Sequence, residues 1–151
     1  MTAPTRTPDL HPGAGPALLR AALAAALVLL GLDLLWLGVV ARGFYARSLG
    51  PLARGDVLWP AALAFYAVYL GAILVHAVRG APGVGAAARR GAGLGLVVYA
   101  AYELTNWAVL RGWPAALVPV DIAWGVVLTA TSAAAGRLAW GHRPTPPGAD
   151  P

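Results

Sequence analysis

The chain has 151 residues, of which 59% are hydrophobic and only 11% are charged. Soluble domains carry about a quarter charged residues, so this chain lacks the polar side chains that would cover a surface in water. Its mean hydropathy of +0.67 favours lipid as the solvent instead. The net charge of +5 comes from Arg residues scattered between apolar runs, a pattern typical of membrane proteins and not of nucleic-acid-binding surfaces.

Four apolar runs follow one another along the chain. Each is long enough to cross about 30 Å of hydrocarbon at about 1.5 Å per helical residue. The predicted spans are residues 17–40, 58–78, 92–110 and 115–140. We therefore predict an all-α fold, a polytopic four-helix transmembrane bundle. The Pro-rich ends, residues 1–16 and 141–151, are expected to be disordered tails.

The Arg residues divide unequally between the two faces of the predicted bundle. With four spans, the N-terminal tail, the second loop and the C-terminal tail share one face. That face carries most of them: Arg6, Arg20, Arg79, Arg89, Arg90, Arg137 and Arg143. The opposite face carries Arg42, Arg47, Arg54 and Arg111. Because cytoplasmic loops carry an excess of Arg, we expect both termini in the cytoplasm.

Three carboxylates lie inside the apolar runs: Asp33, Glu103 and Asp121. At the centre of a span each would cost about 2.5 to 3.5 kcal/mol, so such residues face the bundle interior and find partners. Asp33 lies about 13 Å before Arg42 and Glu103 about 12 Å before Arg111 along the helix axis. These depths, with that of Asp121 near the start of the fourth span, place all three acids in the predicted extracytoplasmic half.

Aromatic and polar side chains join this acidic layer. Trp36 and Trp124 each follow an acid by one helical turn, and Tyr102 and Asn106 share a stripe with Glu103. We predict a polar ligand-binding pocket between the helices, with two Arg residues at its mouth. The predicted ligand-binding residues are Asp33, Trp36, Tyr102, Glu103, Asn106, Asp121 and Trp124. The predicted mouth residues are Arg42 and Arg111.

The remaining aromatic residues are assigned simpler roles. Trp113, at a predicted span end, is expected to anchor the chain at the membrane interface, and Tyr45 in the first loop is interpreted in the same way. Tyr66, Tyr69 and His76 are predicted to lie on one face of the second span. A lone His is a poor basis for haem or metal binding, so no cofactor or metal is expected.

At these residues the sequence resembles a family of bacterial membrane proteins, the domain of unknown function DUF 2177. The matching segments are LDLLWLG at 32–38, ARGFY at 41–45, YELTN at 102–106, RGWP at 111–114 and DIAWG at 121–125. The resemblance covers about residues 19–140, and the family often has Asp where this chain has Glu103. It implies a four-span protein of the bacterial inner membrane and supplies no activity.

Three functions fit the acidic layer. The leading hypothesis is a protein that binds or carries a small amphipathic or lipid-like ligand. The second is a structural or accessory subunit, in a homo-oligomer or a larger membrane complex, whose polar layer fixes helix register. The third is a lipid-modifying enzyme that uses the carboxylates as general acid and base, although no nucleophile or metal set accompanies them. Membrane lipid is the expected surrounding partner, and no nucleic acid is expected.

The Arg distribution yields a topology test. Reporter fusions after Arg89 and at Pro151 should report a cytoplasmic location, whereas a fusion near Arg47 should report an external one. Paired phosphatase and fluorescent-protein activities measure this. A cytoplasmic signal at Arg47 would move the acidic layer to the inner half of the membrane.

Overall fold

The protein is described by a computed structural model over residues 14–141, and this part of the chain is helical with no strand. Its five α-helices are α1 (Ala14–Leu35), α2 (Arg42–Leu49), α3 (Trp59–Ala72), α4 (Val84–Val109) and α5 (Leu117–Trp140). The predicted tails lie outside the described residues, except for residues 14–16, which begin α1, and Gly141. The predicted all-α class is therefore confirmed.

Three helical segments are long and apolar enough to cross a membrane: Gly15–Val40, Trp59–Val78 and Leu117–Trp140. Helix α4 is long enough to cross a membrane, with 26 residues, but it is less apolar than these three segments. Arg89 and Arg90 near its start and Glu103 and Asn106 near its end reduce its apolar character. The described chain thus has several candidate spans, and the fourth span of the predicted bundle rests on α4.

Two of the spans end in a π-helical turn. Helix α1 continues into Trp36–Val40, and α3 continues into Ile73–Val78. A π-helical turn holds more residues than an α-helical turn, so side chains within it and after it depart from the α-helical period. His76 lies inside the second π-helical turn and is exposed, whereas Tyr69 is buried. The prediction that His76 shares a face with Tyr66 and Tyr69 is wrong, because it assumed an unbroken α-helical period.

Helices α4 and α5 pack more closely than ordinary side chains would allow. Gly91 and Gly95 are buried against α5. A Cβ on Gly95 would overlap the backbone oxygen of Gly125, and one on Gly91 would lie 2.6 Å from that of Thr129. Glycine at these positions lets the two backbones touch, which is how helices associate where lipid removes the hydrophobic driving force.

Helix α3 joins the bundle mainly at its π-helical end. Ile73, Ala77 and Val78 in that turn are buried and contact α4 and α5. Within α3 itself, Tyr69 is the buried residue. The first half of α3 therefore makes few contacts with α4 and α5, and a gap lies beside it.

The close approach of α4 and α5 predicts a sharp difference between two glycines of one helix. Gly95→Ala should lower the free energy of unfolding by about 1–3 kcal/mol, because its methyl group would overlap a backbone oxygen. Gly93→Ala is the matched control, since a Cβ there meets nothing within 4 Å. Unfolding in mixed micelles, followed by circular dichroism, measures both. Equal stability of the two variants would contradict the close contact.

Candidate functional site

The Asp33 carboxylate joins three helices. The Tyr66 hydroxyl of α3 donates a hydrogen bond to Asp33 Oδ2 at 2.7 Å, and the Trp124 indole of α5 donates to Asp33 Oδ1 at 3.1 Å. Asp33 itself lies on α1 and is only 5% exposed. Both oxygens therefore have donors that replace water, which is the requirement for a buried acid in a membrane.

The Asp121 carboxylate joins α5 to the segment after α1. The Tyr45 hydroxyl of α2 donates a hydrogen bond to Asp121 Oδ1, and Trp36 Nε1 donates to the same hydroxyl at 3.3 Å. Asp121 is 9% exposed. Helix α2 is eight residues long and contains no buried residue, so this contact is a main link between α2 and the bundle.

The two Asp–Trp pairs are connected crosswise. Trp124 follows Asp121 by one turn but donates to Asp33, and Trp36 follows Asp33 by one turn but donates to the Tyr45 hydroxyl that reaches Asp121. Between them the two indole rings stack, with centroids 4.5 Å apart and planes 8° from parallel. The stack and the hydrogen bonds hold both acids in one layer.

A cavity of about 490 Å³ occupies the gap beside the first half of α3. Both acids, Asp33 and Asp121, line it, and residues from all five helices or their π-helical extensions form its walls. Most of the other lining side chains are aromatic: Tyr45, Phe65, Tyr66, Tyr99, Tyr102 and Trp124. The cavity contains no Arg or His among its lining residues.

Glu103 occupies a separate position. Its side chain is fully buried, and Trp113 Nε1 donates a hydrogen bond to its Oε2 at 2.9 Å. Its Oε1 is buried with no hydrogen-bond partner in the described part of the chain. The Trp113 ring also meets Tyr102 edge-on, with centroids 5.8 Å apart. Glu103 is therefore inside the bundle, as expected for a membrane acid, but does not line the cavity.

The predicted site residues thus separate into two groups. Four of them line the cavity: Asp33, Tyr102, Asp121 and Trp124. The other predicted ligand-binding residues, Trp36, Glu103 and Asn106, do not line it. Trp36 supports Tyr45 and lines a neighbouring apolar groove instead. The predicted mouth residues Arg42 and Arg111 are exposed.

Three aromatic residues have roles that the sequence analysis did not assign. Tyr45 and Trp113, interpreted as interface anchors, donate hydrogen bonds to Asp121 and Glu103. Tyr66, assigned only to a face of the second span, donates to Asp33. The available signal was the position of Tyr45 and Trp113 within the matched segments ARGFY and RGWP.

Within residues 14–141, no group of three or more His, Asp or Glu side chains is arranged to hold a metal ion.

The apolar helical segments and the inward-facing carboxylates define an all-α integral membrane protein with several candidate spans. The family of predicted membrane proteins DUF2177 matches residues 18–138, and the chain belongs to this family. The resemblance seen in the sequence segments is thereby confirmed. No curated protein and no solved structure matches the chain.

The Glu103–Trp113 contact predicts a coupling that a double-mutant cycle can measure. Trp113→Phe removes the described donor of a buried carboxylate, so it should lower the free energy of unfolding by about 1–3 kcal/mol. In a Glu103→Met background the same change should cost less, since no carboxylate is left unpaired. Unfolding of the four proteins in micelles gives the coupling energy. An equal cost in both backgrounds would mean that the hydrogen bond contributes nothing.

Proposed function

We propose that the protein binds or carries a small amphipathic or lipid-like molecule in the cavity between α3 and the other helices. The observation that carries this proposal is the placement of Asp33 and Asp121, two buried acids from different helices, in the lining of one aromatic cavity. Ligand sites in proteins enclose about 300–1,000 Å³ and combine apolar walls with a few convergent polar groups. The cavity described here has that size and that composition.

The proposal includes α4 as a fourth span of a bacterial inner-membrane protein. Gly95 and Glu103 of α4 face the bundle, whereas Leu96, Val97 and Val109 are exposed at 49%, 66% and 69%. Glu103, one of the polar residues that reduce the hydropathy of α4, is thus turned away from lipid. Four spans place both termini on one side, and the Arg distribution favours the cytoplasm. The acids then lie near the extracytoplasmic surface.

The rim of the cavity supports entry from the bilayer. Phe65 on α3 and Tyr102 on α4 line the cavity and are 45% and 56% exposed, so the gap beside α3 opens at the lipid-facing surface. An amphipathic molecule could place its polar end near Asp33 and Asp121 and leave its tail among the apolar side chains. No passage through water is required for such a ligand.

A second candidate function is structural, and one observation favours it. Both oxygens of Asp33 are already occupied by Tyr66 and Trp124, as in a network that only fixes the register of three helices. A lipid-modifying enzyme would instead use Asp33 and Asp121 as a general acid and base. The structural alternative differs from ligand binding because a purely structural network needs no empty cavity.

Filling the cavity without removing any hydrogen-bonding side chain tests the proposal. Ala62 lines the cavity, so Ala62→Phe should occupy it, whereas Ala64→Phe adds the same ring at an exposed position of the same helix. Native mass spectrometry of protein released from its own membranes should detect a bound amphiphile in the wild type and in Ala64→Phe. The amphiphile should be lost from Ala62→Phe, with both variants accumulating normally.

Two outcomes would oppose ligand binding. Equal amounts of bound amphiphile in Ala62→Phe and Ala64→Phe would place any binding outside this cavity. A wild-type protein that carries no amphiphile, together with Ala62→Phe of unchanged stability, would leave the structural alternative as the better account.

A further inference from the structure

We infer that the polar end of the molecule held in this cavity is an organic ammonium group. The inference rests on the proposed function and adds the chemical class of the ligand. It follows from three features of the cavity: the sign of its charge, an acceptor with no donor, and the composition of its walls.

The charge of the cavity has one sign. Asp33 and Asp121 are the carboxylic acids among its eleven lining residues, and none of the eleven is Arg or His. The donors that these acids have, Tyr66, Trp124 and Tyr45, are all neutral. With either acid ionised the cavity is negative, and a buried charge without a counter-charge is costly. A cationic ligand would supply the missing charge, and a phosphate or sulfate would add to the repulsion.

The two acids differ in their free hydrogen-bonding capacity. Asp33 accepts a hydrogen bond at each oxygen, whereas Asp121 accepts one at Oδ1 from Tyr45. No residue of the described chain donates to Asp121 Oδ2, although the side chain is about nine-tenths buried and lines the cavity. Unlike Glu103 Oε1, this oxygen is not fully buried. Asp121 therefore presents an open acceptor to the cavity, and we assign it as the direct partner of the ammonium group.

The walls favour an organic cation over a metal ion. Ca²⁺ takes about six to eight oxygen ligands, and no described group of three or more acidic or His side chains could hold a metal. Six of the lining side chains instead carry aromatic rings. The faces of such rings attract ammonium groups, and aromatic cages are the usual recognition device for quaternary ammonium. The cavity volume of about 490 Å³ is also far larger than a bare ion needs.

Charge-matched amphiphiles of one chain length test the inference on the full-length protein in a neutral maltoside detergent. The probes are decylammonium, which carries N–H donors, decyl sulfate and decanol, followed by tryptophan fluorescence, since Trp124 lines the cavity. Decylammonium should bind saturably and at least tenfold more tightly than the other two. Asp121→Asn should weaken its binding at least tenfold. Asp56→Asn should leave the Kd unchanged, because Asp56 is exposed in the loop before α3.

The outcomes separate this inference from the proposed function. Decyl sulfate or decanol binding as tightly as the cation, with binding lost in Ala62→Phe, would overturn the ammonium assignment and leave amphiphile binding intact. An unchanged Kd in Asp121→Asn would also overturn the assignment of that residue. If none of the three probes binds saturably, or if Ala62→Phe binds them as the wild type does, the proposed function itself fails. The comparison of the three probes on the wild type needs no variant to fold.

Discussion

A carboxylate in a bilayer must exchange its water for donors from the protein, and the arrangement of Asp33 follows from this requirement. Its two oxygens are supplied by a Tyr and a Trp that come from different helices. Because the donors are distant in sequence, satisfying one acid positions α1, α3 and α5 together. The cavity beside α3 lies between the helices that these hydrogen bonds join.

The contact between α4 and α5 depends on close packing at glycines and not on polar side chains. Gly91, Gly95 and Gly125 bring two backbones together and leave no space between them. Helix α3 has no comparable contact in its first half and reaches Asp33 and Thr129 through the hydroxyls of Tyr66 and Tyr69 instead. The bundle thus combines one interface of closely packed backbones with one that is bridged by long polar side chains, and the cavity lies at the second interface.

Much of this arrangement is present in the sequence. Three apolar runs agree closely with helical segments, and the cost of a lipid-exposed charge was sufficient to predict that Asp33, Glu103 and Asp121 face inward. Periodicity could not reveal the π-helical turns, because apart from His76 they consist of Gly and ordinary apolar residues. His76 was assigned to the wrong face for this reason.

The partners of the acids were harder to predict than their burial. Sequence proximity suggested that each Asp works with the Trp one turn later, but Trp124 donates to Asp33 and Trp36 donates to Tyr45. Tyr45 lies in a short helix with few apolar residues, so its contact with Asp121 depends on tertiary packing and on no local pattern. Glu103 was predicted to have the depth of the other acids, and it is buried but does not line the cavity. Depth along a helix is set by its rise, whereas rotation is set by how neighbouring helices pack.

The crossed connection between the two Asp–Trp pairs has an evolutionary consequence. If Asp33 is replaced, Trp124 on α5 loses its hydrogen-bond acceptor. If Asp121 is replaced, the Tyr45 hydroxyl, which accepts a hydrogen bond from Trp36, loses its own acceptor. A substitution in either Asp–Trp segment therefore affects a hydrogen bond that depends on the other segment. Although nearly ninety residues separate LDLLWLG and DIAWG in the chain, we expect substitutions in one segment to be accompanied by substitutions in the other.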